Sequence, residues 1–168
     1  MPLFKILNFA LFQAGWFTAA FMKDGSVWIM LGLVILHFVI SPSKKADAKL
    51  LLMLLPIGLT LEIAMIYLGL VSFNSALVLP LWMIALWSLL ILSFNHSLKW
   101  LRDLAVLWQV VLSGGFGLAS YVAAQKFQAL SIGDPQLWFG VAIALVWAIQ
   151  LPVMMVITKQ VNAEGNHA

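Results

Sequence analysis

Residues Pro80 to Leu101 read PLWMIALWSLLILSFNHSLKWL, and the reading of this stretch decides the fold. Its opening proline suits the first turn of a helix, where a missing N–H removes no hydrogen bond. From Leu81 to Phe94 the only polar side chains are Ser88 and Ser93, and the run closes on Asn95-His96-Ser97 and Lys99-Trp100. Trp82, Ala85, Leu89, Ser93, His96 and Trp100 recur at spacings of 3, 4, 4, 3 and 4, which is one stripe of a helix. The stretch is predicted to cross a membrane as a helix with a polar foot at one interface.

Composition extends this reading to the whole chain. Of 168 residues, 64% are apolar and only 9% charged, and the mean hydropathy is +1.05. Soluble domains are about 45–50% apolar and about 25% charged, so a water-soluble globule is excluded. With no cysteine there is no disulfide, thiolate metal site or cysteine nucleophile. No basic cluster is interleaved with aromatic residues, so a nucleic-acid partner is not expected.

The predicted architecture is all-α: one domain over residues 1–159, a bundle of six transmembrane helices at about 3–22, 27–41, 48–71, 80–98, 104–125 and 136–158. A polar tail, 160–168, is expected to fray. The first segment carries Lys5, Asn8 and Gln13, and the two amides argue against reading it as a signal peptide cleaved after Thr18-Ala19-Ala20. In the third, Pro56 frees the carbonyl of Leu52 and is expected to bend the helix. Asp134-Pro135 supplies an N-cap and a first-turn proline for the sixth.

Six spans place Lys5, Lys44, Lys45, Lys49, Lys99, Arg102 and Lys159 on one side and Lys23 and Lys126 on the other, a split of seven to two. By the positive-inside rule both termini are cytoplasmic. The second segment is short enough to be re-entrant, but that would carry three of the lysines outside, so it is read as spanning. Trp28, Trp82, Trp100, Trp108 and Trp138 fall near predicted span ends, whereas Trp16, Trp87 and Trp147 are expected between helices.

Glu62 is the only acid placed inside a predicted span, about 21 Å along the third segment from Ala48. A charge there costs a few kcal/mol, so the carboxyl must face the bundle and be hydrogen-bonded, or be protonated. Gly58, Glu62, Met65 and Gly69 form one helical stripe, with small residues on either side of the acid. The functional reading is a proton-titrating or cation-binding carboxylate; the plainer one is a hydrogen bond between helices. Gln13, Ser120 and Tyr121 lie at comparable depth and could partner it. Ser113, Gly114 and Gly117 give the fifth segment a small face for close helix packing.

His37 and His96 are placed at one level near the cytoplasmic side, with Asn8, Asn95 and Gln109 in the same layer. Two histidines need a third carboxylate or imidazole to hold a metal, and Glu62 is about 15 Å away by helical rise. No metal and no cofactor is therefore expected, and the histidines are read as interfacial hydrogen-bonding groups. There is no HExxH, phosphate loop or dinucleotide fingerprint. The sixth segment has no histidine to activate a serine such as Ser120.

Three pieces together resemble a bacterial family catalogued as domain of unknown function 2878. They are Asn8-Phe9 through Gln13-Ala14-Gly15-Trp16, the tryptophan–histidine segment (Pro80-Leu81-Trp82, Ala85-Leu86-Trp87 and His96 to Leu101), and the glycine-rich Ser113-to-Tyr121 stretch. The acidic position Glu62 is similar too. The chain departs at Leu118-Ala119, where the family's pattern would place a proline. The resemblance implies a small bacterial inner-membrane protein and carries no activity with it.

Three function classes follow, in this order: an accessory or structural membrane subunit linked to lipid or envelope metabolism; a small-solute or lipid transporter with Glu62 titrating; and a membrane enzyme acting on a lipid or isoprenoid chain. The absence of an internal repeat lowers the transporter reading. The expected partners are the lipid bilayer, a lipid or isoprenoid ligand, and a membrane protein or a second copy of the chain.

Overall fold

The computed structural model describes residues 2–165. Seven helices make up nearly all of it: α1 (Pro2–Met22), α2 (Val27–Ile40), α3 (Lys44–Tyr67), α4 (Leu81–Ser93), α5 (Lys99–Arg102), α6 (Val106–Lys126) and α7 (Gln136–Gly165). A two-residue strand, β1 (Val71–Ser72), pairs antiparallel with β2 (Ser131–Ile132) and ties the α3–α4 connection to the α6–α7 connection. The six longer helices alternate in direction. Their ends therefore form two layers: a head that holds β1, β2 and the Lys23–Ser26 turn, and a foot that holds α5.

α4 is the central post. Nine of its 13 residues are buried, so it is enclosed on most sides rather than along one stripe. It packs on α1, α2 and α3, and Trp87 stacks on Trp147 of α7 with centroids 5.3 Å apart. Trp82, expected at an interface, is buried here against Phe73. Trp28, Trp100, Trp108 and Trp138 are exposed.

α6 and α7 form the closest helix pair, and glycine is the reason. A Cβ on Gly117 would fall inside the Trp147 side chain, and one on Gly114 would meet the Ala144 carbonyl oxygen at 3.0 Å. Ser113 is buried on the same helix, its hydroxyl turned back onto the Gln109 carbonyl. Gly58 does for α3 what these do for α6, leaving room for the Trp87 ring at 2.7 Å from where a Cβ would stand.

Several boundaries differ from the sequence reading. α4 ends at Ser93, not Leu98, because Ser93 turns its hydroxyl onto Leu90 O at 2.5 Å and Asn95-His96-Ser97 continue as turns. Short polar side chains of this kind compete for backbone groups and unwind helix ends. α3 starts at Lys44 and stops at Tyr67. Gly69 is exposed at φ +72°, with Leu70 N–H donating to Met65 O and Gly69 N–H to Ile66 O. That is a Schellman cap, so Gly69 terminates the helix and does not pack it. Pro80 and Pro135 each precede the first helical residue. α7 runs on past Lys159 to Gly165, with Val161 buried, so the expected tail is helical over 160–165; residues 166–168 lie outside those described.

Polarity is turned inside out. Asn8, His37, Asp47, Glu62, Gln109 and Thr158 are buried, while Leu3, Ile6, Phe21, Ile35, Leu52, Leu107 and Ile149 face outward. Apolar surface this continuous is foreign to a water-soluble monomer. Among the described residues, four helical stretches have the length and apolarity to cross a membrane: Leu3–Ile40, which the head turn divides into α1 and α2, then Lys44–Tyr67, Val106–Lys126 and Gln136–Ala163. α4, with 13 residues, is shorter.

Candidate functional site

Two buried carboxylates organise the interior, one in each half of the bundle. The upper one is Glu62 on α3. Tyr121 of α6 donates its phenolic O–H to Glu62 Oε2 at 2.5 Å, and Trp87 of α4 donates Nε1–H to the same oxygen at 3.3 Å. The expected Tyr121 partnership is present; Trp87, read only as packing, is the second donor. Ser120 goes elsewhere, accepting from Trp16 Nε1 at 2.9 Å. Glu62 Oε1 is buried without a hydrogen-bond partner among the described residues.

The lower carboxylate is Asp47, in the first turn of α3 and fully buried. Oδ1 accepts from Asn95 Nδ2 at 3.0 Å, and Oδ2 accepts from Ser41 Oγ at 2.5 Å and His37 Nε2 at 3.1 Å. His96 Nε2 stands 3.0 Å from both oxygens. The unwinding after Ser93 is what swings His96 under the bundle. Phe4 of α1 closes the cluster, its ring 4.7 Å from that of His96 and 5.8 Å from that of His37. Asn162 of α7 donates to Asn95 Oδ1 at 2.8 Å. Gln109 is not part of this layer; it caps the α5–α6 turn through the carbonyls of Arg102 and Leu104.

Asn8 fixes the proton of His37. Its carbonyl Oδ1 accepts from Ser97 N–H at 3.2 Å and Ser97 O–H at 2.6 Å. A backbone N–H can only donate, so the amide cannot be turned the other way without losing it. The Nδ2 end therefore faces the Leu92 carbonyl and His37 Nδ1, each at 3.3 Å. Since Nδ2 only donates, His37 Nδ1 must be the lone-pair nitrogen, and the ring's single proton sits on Nε2, directed to Asp47. His37 is thus a neutral donor with no free nitrogen. His96 differs: it uses Nε2 on Asp47, while no hydrogen bond occupies its Nδ1 among the described residues and that atom is not sealed from outside.

His37, Asp47 and His96 form a triad whose ligand-type atoms lie within 4.8 Å of one another. Asp47 is the third ligand that the sequence reading lacked. The surrounding shell nevertheless suits a proton. A histidine bound to metal through Nε2 passes its Nδ1–H to an acceptor, and Asn8 presents a donor at that position.

The bundle also carries a large apolar groove of about 590 Å³ between α1 and α6, floored by α4. Phe12, Gln13 and Trp16 line one wall, Phe116, Ala119 and Tyr121 the other. The Trp16–Ser120 hydrogen bond and the Phe21–Phe127 ring contact at 4.7 Å bridge the two walls toward the head. Leu98, Trp100 and Leu101 bound the groove at the foot. Gln13 lines it and does not reach Glu62; Glu62 lies behind the wall that its donors Trp87 and Tyr121 help to form.

A helical bundle with a lipid-like exterior, buried polar clusters and a long apolar groove is built as membrane proteins are built. The chain belongs to the family described as Protein of unknown function (DUF2878), whose profile matches residues 5–153. That span includes both carboxylates and all their donors. No curated protein and no solved structure matches the chain.

Proposed function

We propose that this is a six-span protein of the bacterial inner membrane, with both termini in the cytoplasm, that holds the hydrocarbon chain of a lipid in the groove between α1 and α6. The observation that carries the reading is the groove itself. Its volume of about 590 Å³ falls within the range of small-molecule sites, about 300–1,000 Å³. Its walls are almost wholly aliphatic and aromatic, with Gln13, Ser113 and Ser120 as the polar exceptions. From Leu112 to Ala124 it follows α6 for about 18 Å, over half of a hydrocarbon core about 30 Å thick. A dry apolar cleft at that depth has lipid chains as its surrounding medium. The topology rests on the seven foot-side basic residues against Lys23 and Lys126 at the head.

Lipid retention tests the proposal. Ala119 is an exposed groove-lining residue, so Ala119→Trp fills the cleft without disturbing packed helices. Native mass spectrometry of the detergent-purified chain should show a co-purifying lipid in the wild type and at least about a tenfold loss in A119W. Equal lipid occupancy in both would refute the groove as a lipid site. A reporter fused after the last residue should read cytoplasmic; a periplasmic signal would reverse the topology.

A further inference from the structure

A second, smaller pocket of about 200 Å³ opens at the foot, lined by Phe4, Lys5, Pro42, Asn95, His96 and Lys99. Its lining adjoins that of the groove along the chain: Lys99 stands between the groove residues Leu98 and Trp100, and Lys5 is one turn of α1 before Phe9. Two exposed ammonium groups flank it. Its inner wall is the His96 ring, which Asp47 holds through Nε2 at 3.0 Å.

We propose that this pocket binds the phosphate headgroup of the lipid whose chain occupies the groove, with Lys5 and Lys99 as the charge clamp and His96 Nδ1 as the hydrogen-bonding contact. The inference rests on the groove reading and adds the chemistry of the lipid's polar end. The two histidines have different parts. His37 is committed on both nitrogens, to Asn8 and Asp47, and only completes the shell of the carboxylate. His96 has one nitrogen committed and one open. Asp47 takes the Nε2–H, so Nδ1 carries the lone pair and can accept from a protonated phosphate oxygen (P–O–H). A phosphate in front then faces two ammonium groups and one ring nitrogen. Phosphate is favoured over carboxylate as the headgroup because it can engage Lys5, Lys99 and His96 through separate oxygens.

The test compares two lipids with the same chains, dipalmitoyl phosphatidic acid and dipalmitoylglycerol, offered to the full-length protein in nanodiscs and read by native mass spectrometry. The wild type should retain phosphatidic acid over the glyceride by about tenfold. Lys5→Gln with Lys99→Gln, at two exposed positions, should bring the preference close to unity and leave glyceride binding unchanged. His96→Gln keeps an amide donor for Asp47 but removes the ring nitrogen, and should lower the preference by about threefold with the melting temperature preserved. A preference that survives in both variants overturns the proposal. A119W separates the two readings. If both lipids remain bound in A119W while the lysine variant loses its preference, the groove reading fails and the phosphate site stands. Full displacement of phosphatidic acid by millimolar inorganic phosphate would assign the pocket to soluble phosphate and overturn the lipid assignment. Stoichiometric zinc in the purified protein, lost on changing His37, would overturn it as well.

Discussion

Asp47 and Glu62 stand on one face of one helix, about 22 Å apart by helical rise, and the bundle treats them differently. Asp47 receives four donors from two segments of the chain, shared over both oxygens. Glu62 receives two, both on Oε2. Every donor to Asp47 comes from a turn or a helix end: Ser41 and His37 close α2, and Asn95 and His96 follow α4. The donors to Glu62 are aromatic side chains from the middle of continuous helices. The difference teaches where polar satisfaction is available in an apolar bundle. Helix interiors have spent their backbone groups, and only side chains that double as packing can reach in. Helix ends carry free backbone groups and short polar residues, so a dense network can be assembled there.

This contrast makes a ranked set of predictions. Asp47→Ala should be the most damaging, at about 3–5 kcal/mol, because it leaves four donors, three of them buried, without an acceptor. Thermal unfolding in detergent is the measurement, and a wild-type melting curve would show that the foot is not what holds α2, α3 and the α4 foot together. Gly58→Ala should cost about 1–3 kcal/mol by overpacking, since the new methyl meets the Trp87 ring, one of the two Glu62 donors. A shift in Trp87 fluorescence should accompany the loss; stability lost without it would separate the packing of Trp87 from its bond to Glu62. Glu62→Gln should be mildest, at about 1 kcal/mol, because an amide oxygen can still accept from Tyr121 and Trp87. A loss in E62Q as large as in D47A would erase the distinction between the two sites.

Much of the upper site is legible in the chain. Glu62 interrupts a long apolar run, helical spacing gives its inward face, and helical rise puts Tyr121 at a matching depth. The lower site is hidden by a boundary of a few residues. Lys44, Lys45 and Lys49 make the segment look interfacial, so a hydropathy reading starts the helix at Ala48 and leaves Asp47 outside. One signal could have found it. Carried downward from Met65, Glu62 and Gly58, the same stripe passes through Leu54 and Leu50 and arrives at Asp47, and those six are the buried residues of α3. Gly69 errs the other way: it continues the stripe in spacing, but the helix has already ended at Tyr67.

The Pro80–Leu101 stretch divides along the same line. Its sequence by itself determines an apolar helix with a polar foot, because hydrophobic run length and side-chain type are local properties that no partner is needed to read. The chain likewise determines an all-helical apolar bundle and the seven-to-two division of its basic residues. Tertiary structure alone decides that α4 is the enclosed post, that its foot unwinds after Ser93, and that His96 meets His37 on Asp47 while Asn8 sets where the His37 proton lies. Those outcomes depend on four segments 10 to 89 residues apart arriving at one point, and hydrogen-bond geometry at that point is fixed by packing, which spacing along a single helix does not encode.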